Sequence, residues 1–138
     1  MREFDLLMVD DDRIYLKMIK SFFEHEGLKA LCADSGEEAL RMIKEKPMGL
    51  IFTDYHMPGM NGLVLAGRIR EMVPCARIMM ITSDPSPEVT ALAMRAGISR
   101  VTAKPCRLKE IQDIINEEKQ WLIGSLREAV STEGEPEV

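Results

Sequence analysis

Short apolar segments alternate with amphipathic segments along the chain. The apolar segments span residues 4–9, 28–33, 49–53, 77–82 and 99–103. The first, third and fourth are almost continuously apolar, which is typical of strands buried on both faces of a parallel sheet. The second alternates more between apolar and polar residues, which suits a strand at the edge of the sheet.

The segments between these strands carry helix signals. Over residues 13–26 apolar positions recur at helical spacing, and Gly27 is a suitable C-terminal stop. The residues expected on the inward face of this helix are Ile14, Met18, Ile19, Phe22 and Phe23. Ser35 and Glu38 form a capping-box pattern that begins a second helix. Three further helices are expected, over 61–72, from an N-cap at Ser86 to Gly97, and from near Arg107 onward.

This order of elements predicts an α/β fold. Strands that alternate with helices at regular intervals require βαβ crossovers and therefore a parallel sheet. Right-handed crossovers place helices on both faces of that sheet, giving a doubly wound architecture. The sequence shows no internal repeat and no domain boundary before residue 124.

Polar residues follow the apolar segments at ends that would meet at one edge of the sheet. They are Asp10, Asp11, Asp54, Thr82, Ser83 and Lys104. In open parallel sheets, ligands bind beyond the carboxyl ends of the strands, where the strand order switches. One aspartate after a strand is weak evidence, but the set together indicates a site.

The acidic members of this set predict a bound cation. Three carboxylates in one crevice repel one another by about 4 kcal/mol per pair at contact, with an effective dielectric constant near 20. An all-oxygen site with room for water suits Mg²⁺, and Mn²⁺ could substitute. Lys104 adds a fixed positive charge, and a metal, an ammonium and a hydroxyl together suit a phosphoryl group. Asp12, the third consecutive aspartate, is a candidate N-cap of the first helix.

Composition argues against a nucleic-acid-binding, secreted or membrane-spanning protein. The chain has 138 residues, of which 46% are hydrophobic and 30% are charged, and its net charge of −5 is accompanied by no basic patch for nucleic acid. Residues 1–5 lack the apolar stretch of a signal peptide, and no apolar run approaches membrane-spanning length. The three cysteines show no CxxC spacing, which favours reduced thiols in a cytoplasmic protein.

Four motifs resemble the receiver domain of two-component response regulators, of the chemotaxis-regulator-like kind. They are VDD at 9–11, TDYHMPGMNG at 53–62, ITS at 81–83 and AKP at 103–105. They occur in the family's order, and the resemblance covers residues 4–123. It implies a flavodoxin-like sheet in the strand order 2-1-3-4-5. It also implies a signalling switch that catalyses only its own phosphorylation and slow dephosphorylation.

The resemblance also assigns an acceptor and metal ligands. It implies that Asp54 accepts a phosphoryl group from a phosphohistidine on a sensor histidine kinase or a histidine phosphotransfer protein. Mg²⁺ would be held by the side chains of Asp11 and Asp54, by the backbone carbonyl of His56, and by Asp10 mainly through water.

The remaining roles concern the phosphoryl group itself. By the resemblance, Lys104 would hold a phosphate oxygen, and Thr82 would move toward the phosphoryl group together with Ser83 and the loop that follows. His56, two residues after the acceptor, and Asp84, two residues after Thr82, are candidates for tuning the lifetime of the phosphoryl group. Our hypothesis is that both affect its hydrolysis.

Two positions depart from the family pattern. Receivers usually carry an aromatic residue three positions before the lysine, and here that position is Val101. The residue after Lys-Pro is often phenylalanine, and here it is Cys106. An aromatic switch at Val101 is therefore absent, and Pro85 and Pro87 stiffen the loop that would have to move.

The extent of the domain and its partners complete the sequence-based predictions. Residues 1–123 are expected to form the receiver domain. Residues 124–138 are expected to extend the last helix and end in an acidic disordered tail, which would suit a linker to an output domain. Further partners would be a second copy of the chain or a C-terminal output domain, with no direct contact to nucleic acid or membrane.

A phosphatase is the rival interpretation. Asp10 and Asp12 form a D-x-D motif after the first strand, which resembles the nucleophile motif of haloacid-dehalogenase-like Mg-dependent phosphatases. The stretch DDDRI lacks the usual D-x-D-G-T continuation, and no late acidic pair follows Lys104. This alternative also leaves Asp54 and its loop unexplained.

Overall fold

A computed structural model describes residues 5–118 of the chain. It contains a five-stranded parallel sheet in the order β2-β1-β3-β4-β5, as predicted. The strands are β1 (Asp5–Val9), β2 (Lys29–Ala33), β3 (Leu50–Asp54), β4 (Arg77–Thr82) and β5 (Arg100–Ala103). The predicted edge position of the second strand is confirmed, because β2 pairs only with β1 among the described strands.

Four helices accompany the sheet in the unit that ends at Cys106. They are α1 (Arg13–His25), α2 (Gly36–Glu45), α3 (Gly62–Met72) and α4 (Pro87–Arg95). A fifth helix, α5, spans residues 108–118 and belongs to a separate compact unit that begins at Arg107. The predicted extension of the last helix and the acidic tail fall outside the described residues.

The capping residues explain where the helices begin and end. Asp12, Ser35, Asn61 and Ser86 are the N-caps of α1 to α4, and each side-chain oxygen accepts a hydrogen bond from a backbone N–H in the first turn. Pro87 occupies the first turn of α4, as predicted. A glycine with a left-handed backbone conformation follows each of α1 and α4. These glycines are Gly27, with φ +80°, and Gly97, with φ +87°.

The sheet separates two layers of apolar side chains. On one face, Leu7, Ile51, Ile78 and Met80 belong to a buried cluster that also contains residues of α2, α3 and α4. The alternate residues of the same strands, such as Leu6 and Phe52, are also buried, as a sheet covered on both faces requires. All five residues of β3 are buried, so the strand that carries Asp54 lies in the centre of the fold.

The predicted inward face of α1 is partly wrong. Leu16, Ile19 and Phe23 are the buried residues of this helix, whereas Ile14 is 81% exposed and Met18 is 50% exposed. Leu16, Ile19 and Phe23 follow the i, i+3, i+7 spacing of one helix face. Ile14 and Met18 lie on a second apolar stripe of the helix. This stripe begins two residues before Leu16, so it faces a different direction from the buried stripe. The apolar spacing was compatible with both stripes.

Candidate functional site

The predicted polar strand ends meet at one edge of the sheet. Asp10 follows β1, Asp54 is the last residue of β3, and Lys104 follows β5. The Lys104 ammonium donates hydrogen bonds to Asp10 Oδ2 and Asp54 Oδ2, each at 3.0 Å. The edge therefore joins residues that lie 94 and 50 positions apart in the sequence.

Asp10, Asp11 and Asp54 form an acidic cluster. Each offers a carboxylate oxygen, and these oxygens lie within 4.8 Å of one another. Asp10 and Asp54 are only 4% and 8% exposed, whereas Asp11 is exposed. A donor set made only of oxygens, buried on one side and open to water on the other, fits Mg²⁺, which keeps several of its waters when bound.

Burial and hydrogen bonds act in opposite directions on the pKa values of Asp10 and Lys104. Burial raises the pKa of Asp10 above its ordinary value, although hydrogen bonds from the Asp12 N–H and from Lys104 act in the opposite direction. For Lys104, burial lowers the pKa, but the hydrogen bonds to Asp10 and Asp54 outweigh it and raise the pKa overall. Lys104 therefore remains a cation at neutral pH, while the charged form of Asp10 is held at a cost.

The three consecutive aspartates have three different surroundings. Asp10 is buried and pairs with the half-buried Lys104, and its Oδ1 accepts a hydrogen bond of 2.9 Å from the Asp12 N–H. Asp11 lies at the exposed side of the acidic cluster. The Asp12 side chain instead accepts from the backbone N–H groups of Ile14 and Tyr15, which confirms its predicted role as a helix cap.

Thr82 lies at the end of β4, between the strands that carry Asp54 and Lys104. It is fully buried, and its hydroxyl oxygen accepts a hydrogen bond of 3.0 Å from the Asp84 N–H. Its carbonyl accepts from the Lys104 N–H at 2.8 Å, which fixes the start of the Lys104 segment. Ser83 and Asp84 are exposed at the start of the loop. The peptide bond between Lys104 and Pro105 is cis.

The loop from β3 to α3 places His56 at the surface beside Asp54. Its ring lies 4.5 Å from the Tyr55 ring, measured between centroids. The Gly62 N–H donates to the Tyr55 carbonyl at 2.9 Å and closes the loop. A Cβ at Gly62 would collide with the Asp54 carbonyl oxygen, so only glycine lets α3 begin this close to the end of β3.

Two residues of the site were not predicted. Thr53 is buried and its hydroxyl donates to the Asp54 carbonyl at 2.9 Å. The ring of Tyr15 lies against Lys104, whose ammonium is 5.6 Å from the ring centroid. Threonine is an ordinary residue in a strand and tyrosine is an ordinary residue in a helix. Nothing in the sequence at Thr53 or Tyr15 therefore indicated a role in the site.

Val101 and Cys106 lie on either side of Lys104 in the sequence. Val101 is half-buried on β5 and packs against the apolar cluster beneath α2 to α4. Cys106 is half-buried. No helix in the described part of the chain is long and apolar enough to cross a membrane.

Comparisons with known sequences identify relatives of this chain. The sequence profile of the response regulator receiver domain matches residues 6–116. A transcriptional regulatory protein of Bacillus subtilis, YesN, is 31% identical over 117 residues, which are 83% of this chain and 32% of that protein. A response regulator receiver protein of Anaeromyxobacter is 30% identical over 108 residues, 78% of this chain and 45% of that protein. The chain therefore spans less than half the length of these two relatives.

Solved structures show the same fold. A CheY-like receiver domain protein from Methanospirillum hungatei superimposes with a TM-score of 0.80 at 26% identity, covering 85% of this chain and 94% of that chain. A chemotaxis protein of Vibrio cholerae, CheY4, gives a TM-score of 0.80 at 23% identity, covering 84% of this chain and 98% of that chain.

Proposed function

Because this chain belongs to the response regulator receiver family, we propose that Asp54 accepts a phosphoryl group from a phosphohistidine. The donor would be a sensor histidine kinase or a histidine phosphotransfer protein. The observation that carries this proposal is the Lys104 ammonium, which bridges Asp10 and Asp54 at 3.0 Å from each. It places one fixed cation beside the one carboxylate that ends the central strand.

The acidic cluster would hold the metal. The ligands in this proposal are the carboxylates of Asp11 and Asp54 and the backbone carbonyl of His56, with Asp10 binding mainly through water. Mg²⁺ is the ion, and Mn²⁺ could substitute. When bound, the ion would neutralise charge on the phosphoryl oxygens and on the carboxylates. Asp11 is the exposed member, so it marks the side from which water and the donor reach the site.

Asp54 would act as the nucleophile. One of its carboxylate oxygens would bind the metal and the other would attack phosphorus, as the Lys104 ammonium that donates to Asp54 Oδ2 turns to the phosphoryl group. The bond from phosphorus to the donor histidine nitrogen breaks as the bond to the aspartyl oxygen forms, and the imidazole leaves with its electron pair. Lys104 would bind a phosphoryl oxygen, and the Thr82 hydroxyl would donate to another after leaving the Asp84 N–H.

The phosphatase alternative has no support from the comparisons, which include the receiver-domain family profile and receiver proteins. The structure also shows why its D-x-D motif is incidental. The second aspartate of that motif, Asp12, caps α1 and is engaged with the N–H groups of Ile14 and Tyr15. A helix cap explains the motif without phosphatase chemistry.

The direct test is to locate the acyl phosphate. The protein would be treated with Mg²⁺ and acetyl phosphate, reduced with borohydride to trap the aspartyl phosphate, digested and examined by mass spectrometry. We expect modification at Asp54, its loss in Asp54→Asn, and its retention in Asp34→Asn, a half-buried aspartate that pairs with Arg13 outside the cluster. Modification at Asp10 instead would overturn the assignment.

The lifetime of the phosphoryl group would depend on His56 and Asp84. Both side chains are exposed beside the acceptor and beside Thr82, respectively, where water must approach. We expect His56→Ala and Asp84→Ala each to change the first-order rate of dephosphorylation by about twofold or more, since groups that orient water contribute to such rates. Decay would be followed by the loss of phosphorylated protein after donor removal. Rates equal to that of the wild type in both variants would refute this role.

The cellular setting follows from composition. We infer a cytoplasmic location from the three cysteines, which are odd in number and show no CxxC spacing. Phosphorylation would change the binding of a partner, either a second copy of the chain or an output domain.

A further inference from the structure

Lys104 has more hydrogen-bonding capacity than its two acidic partners use. An ammonium carries three N–H donors, and two of them point to Asp10 and Asp54. The Tyr15 ring lies near the same ammonium, with 5.6 Å between the Lys104 Nζ and the ring centroid. This distance is within the range in which an aromatic face attracts a cation.

Tyr15 is fixed in this position by the start of α1. Its backbone N–H donates to the Asp12 side chain at 3.1 Å, so the cap that follows the acidic cluster also sets the place of the ring. The Tyr15 hydroxyl is buried and has no hydrogen-bond partner within the described part of the chain. A buried hydroxyl without a partner costs free energy, so its hydrogen bonding does not explain why a tyrosine stands here.

Burial also keeps the ring neutral. It raises the pKa of Tyr15 to about 12, so the phenol stays protonated throughout the pH range in which proteins function. Lys104 therefore faces a neutral aromatic surface rather than a phenolate. The attraction comes from the face of the ring and does not require the hydroxyl.

We propose that the Tyr15 ring is a positioning group that keeps the Lys104 ammonium at the acceptor site when a divalent cation and a phosphoryl group bind there. The proposal rests on Asp54 being the phosphoacceptor. A divalent cation on the three carboxylates would repel Lys104, whose side chain is 29% exposed and has a path to solvent. The ring opposes that displacement because its attraction for a cation does not involve the carboxylates that the metal takes.

Two substitutions separate the ring from its hydroxyl. Tyr15→Phe keeps the aromatic face and removes the orphaned hydroxyl, whereas Tyr15→Leu keeps an apolar side chain without a face. With acetyl phosphate and saturating Mg²⁺, we expect the phosphorylation rate of Tyr15→Phe to lie within twofold of the wild type. We expect Tyr15→Leu to be about three- to tenfold slower. In a Lys104→Ala background, Tyr15→Leu should cause no further loss, because the group it positions is gone.

A spectroscopic signature tests the contact without phosphorylation. Protons held over an aromatic ring are shifted upfield, so the ε-methylene protons of Lys104 should show such a shift, assigned by comparison with Lys104→Arg. We expect the shift in the wild type and in Tyr15→Phe and its loss in Tyr15→Leu. Tyr15→Met, with an adaptable side chain, repeats both measurements if thermal melting shows that Tyr15→Leu does not fold.

The outcomes distinguish this proposal from the proposed function. A wild-type rate in a folded Tyr15→Leu or Tyr15→Met would overturn it, as would an unchanged Lys104 proton shift. A slow Tyr15→Phe would transfer the role from the ring to the hydroxyl and overturn it as well. If the wild type takes no phosphoryl group at Asp54, the proposed function fails, and the proton shift still decides whether the ring holds Lys104.

Discussion

Two regions of the molecule are held together in opposite ways. The first is the edge formed by Asp10, Asp54 and Lys104, which we call the acceptor edge after the proposed role of Asp54. The second is the junction of α3 with the end of α4. At the acceptor edge, two nearly buried carboxylates share one ammonium, and a third carboxylate lies within 4.8 Å of them. At the junction, one guanidinium binds backbone carbonyls. Arg70 on α3 donates to the Gly97 carbonyl and, at 3.1 Å, to the Pro74 carbonyl.

The difference lies in what each arrangement depends on. The acceptor edge gathers like charges, so its electrostatic balance changes with any ion or phosphoryl group that enters. The junction pairs a permanent cation with neutral carbonyls and rests on an apolar cluster, so its balance does not depend on a ligand. The charge balance of the acceptor edge therefore responds to ligands, whereas that of the junction does not. On the proposed function, a signal from Asp54 that reaches α4 would have to act against this junction.

The largest expected effect comes from removing the shared cation. Lys104→Ala should lower the rate of Asp54 phosphorylation by acetyl phosphate about a hundredfold, because a preorganised charge at a transition state contributes on this scale. Lys109→Ala, at an exposed lysine on α5, is the control and should leave the rate unchanged. Single-turnover labelling at fixed Mg²⁺ measures both. A loss of less than threefold in Lys104→Ala would mean that the acceptor edge does not depend on its cation.

The next effect tests the junction. Gly97→Ala should destabilise the protein by about 2 kcal/mol, because a left-handed φ disfavours alanine and the added Cβ would collide with the Arg70 side chain. Gly27→Ala is a matched control, since its φ is also positive at +80° but its Cβ would meet nothing within 4 Å. It should cost only about 1 kcal/mol.

Urea unfolding of both variants, with and without Arg70→Ala, isolates the contact. The extra cost of Gly97→Ala over Gly27→Ala should disappear once Arg70 is truncated. If the difference persists in the Arg70→Ala background, the guanidinium is not what fills the space beside Gly97.

The smallest effect links the two regions. Val101→Ala should cost about 1 kcal/mol of stability, because it removes apolar volume from a half-buried position against the apolar cluster. It should leave the phosphorylation rate within twofold of the wild type, since Val101 contacts the cluster rather than the acidic residues. A change of more than threefold in that rate would show that β5 side chains communicate directly with Asp54.

Local patterns predicted most of the fold. Strand lengths, the caps Asp12, Ser35 and Ser86, and the left-handed glycines each depend on neighbours a few residues away, so the sequence displays them directly. The acidic cluster was predictable for a related reason. Parallel strands end at one edge and β1 is next to β3, so topology places Asp10 and Asp54 side by side, and Lys104 reaches them from β5 across the end of β4.

Features that depend on packing between distant segments were not predictable. The apolar stripe of α1 that turns inward is decided by the sheet beneath it, and two stripes were available. The contacts of Tyr15 with Lys104 and of Arg70 with Gly97 join residues whose types are ordinary for a helix. A tyrosine or an arginine at such positions carries no periodic signal, so only the three-dimensional arrangement reveals what it touches.

The distance in sequence between Asp10 and Lys104 has a consequence for the making of the protein. During synthesis, Asp10, Asp11 and Asp54 leave the ribosome long before Lys104, which comes 50 residues after the acceptor. A nascent or truncated chain without β5 thus lacks the cation that the proposed chemistry requires. On the proposed function, efficient uptake of a phosphoryl group would therefore begin only after β5 has joined the sheet and brought Lys104 to Asp54.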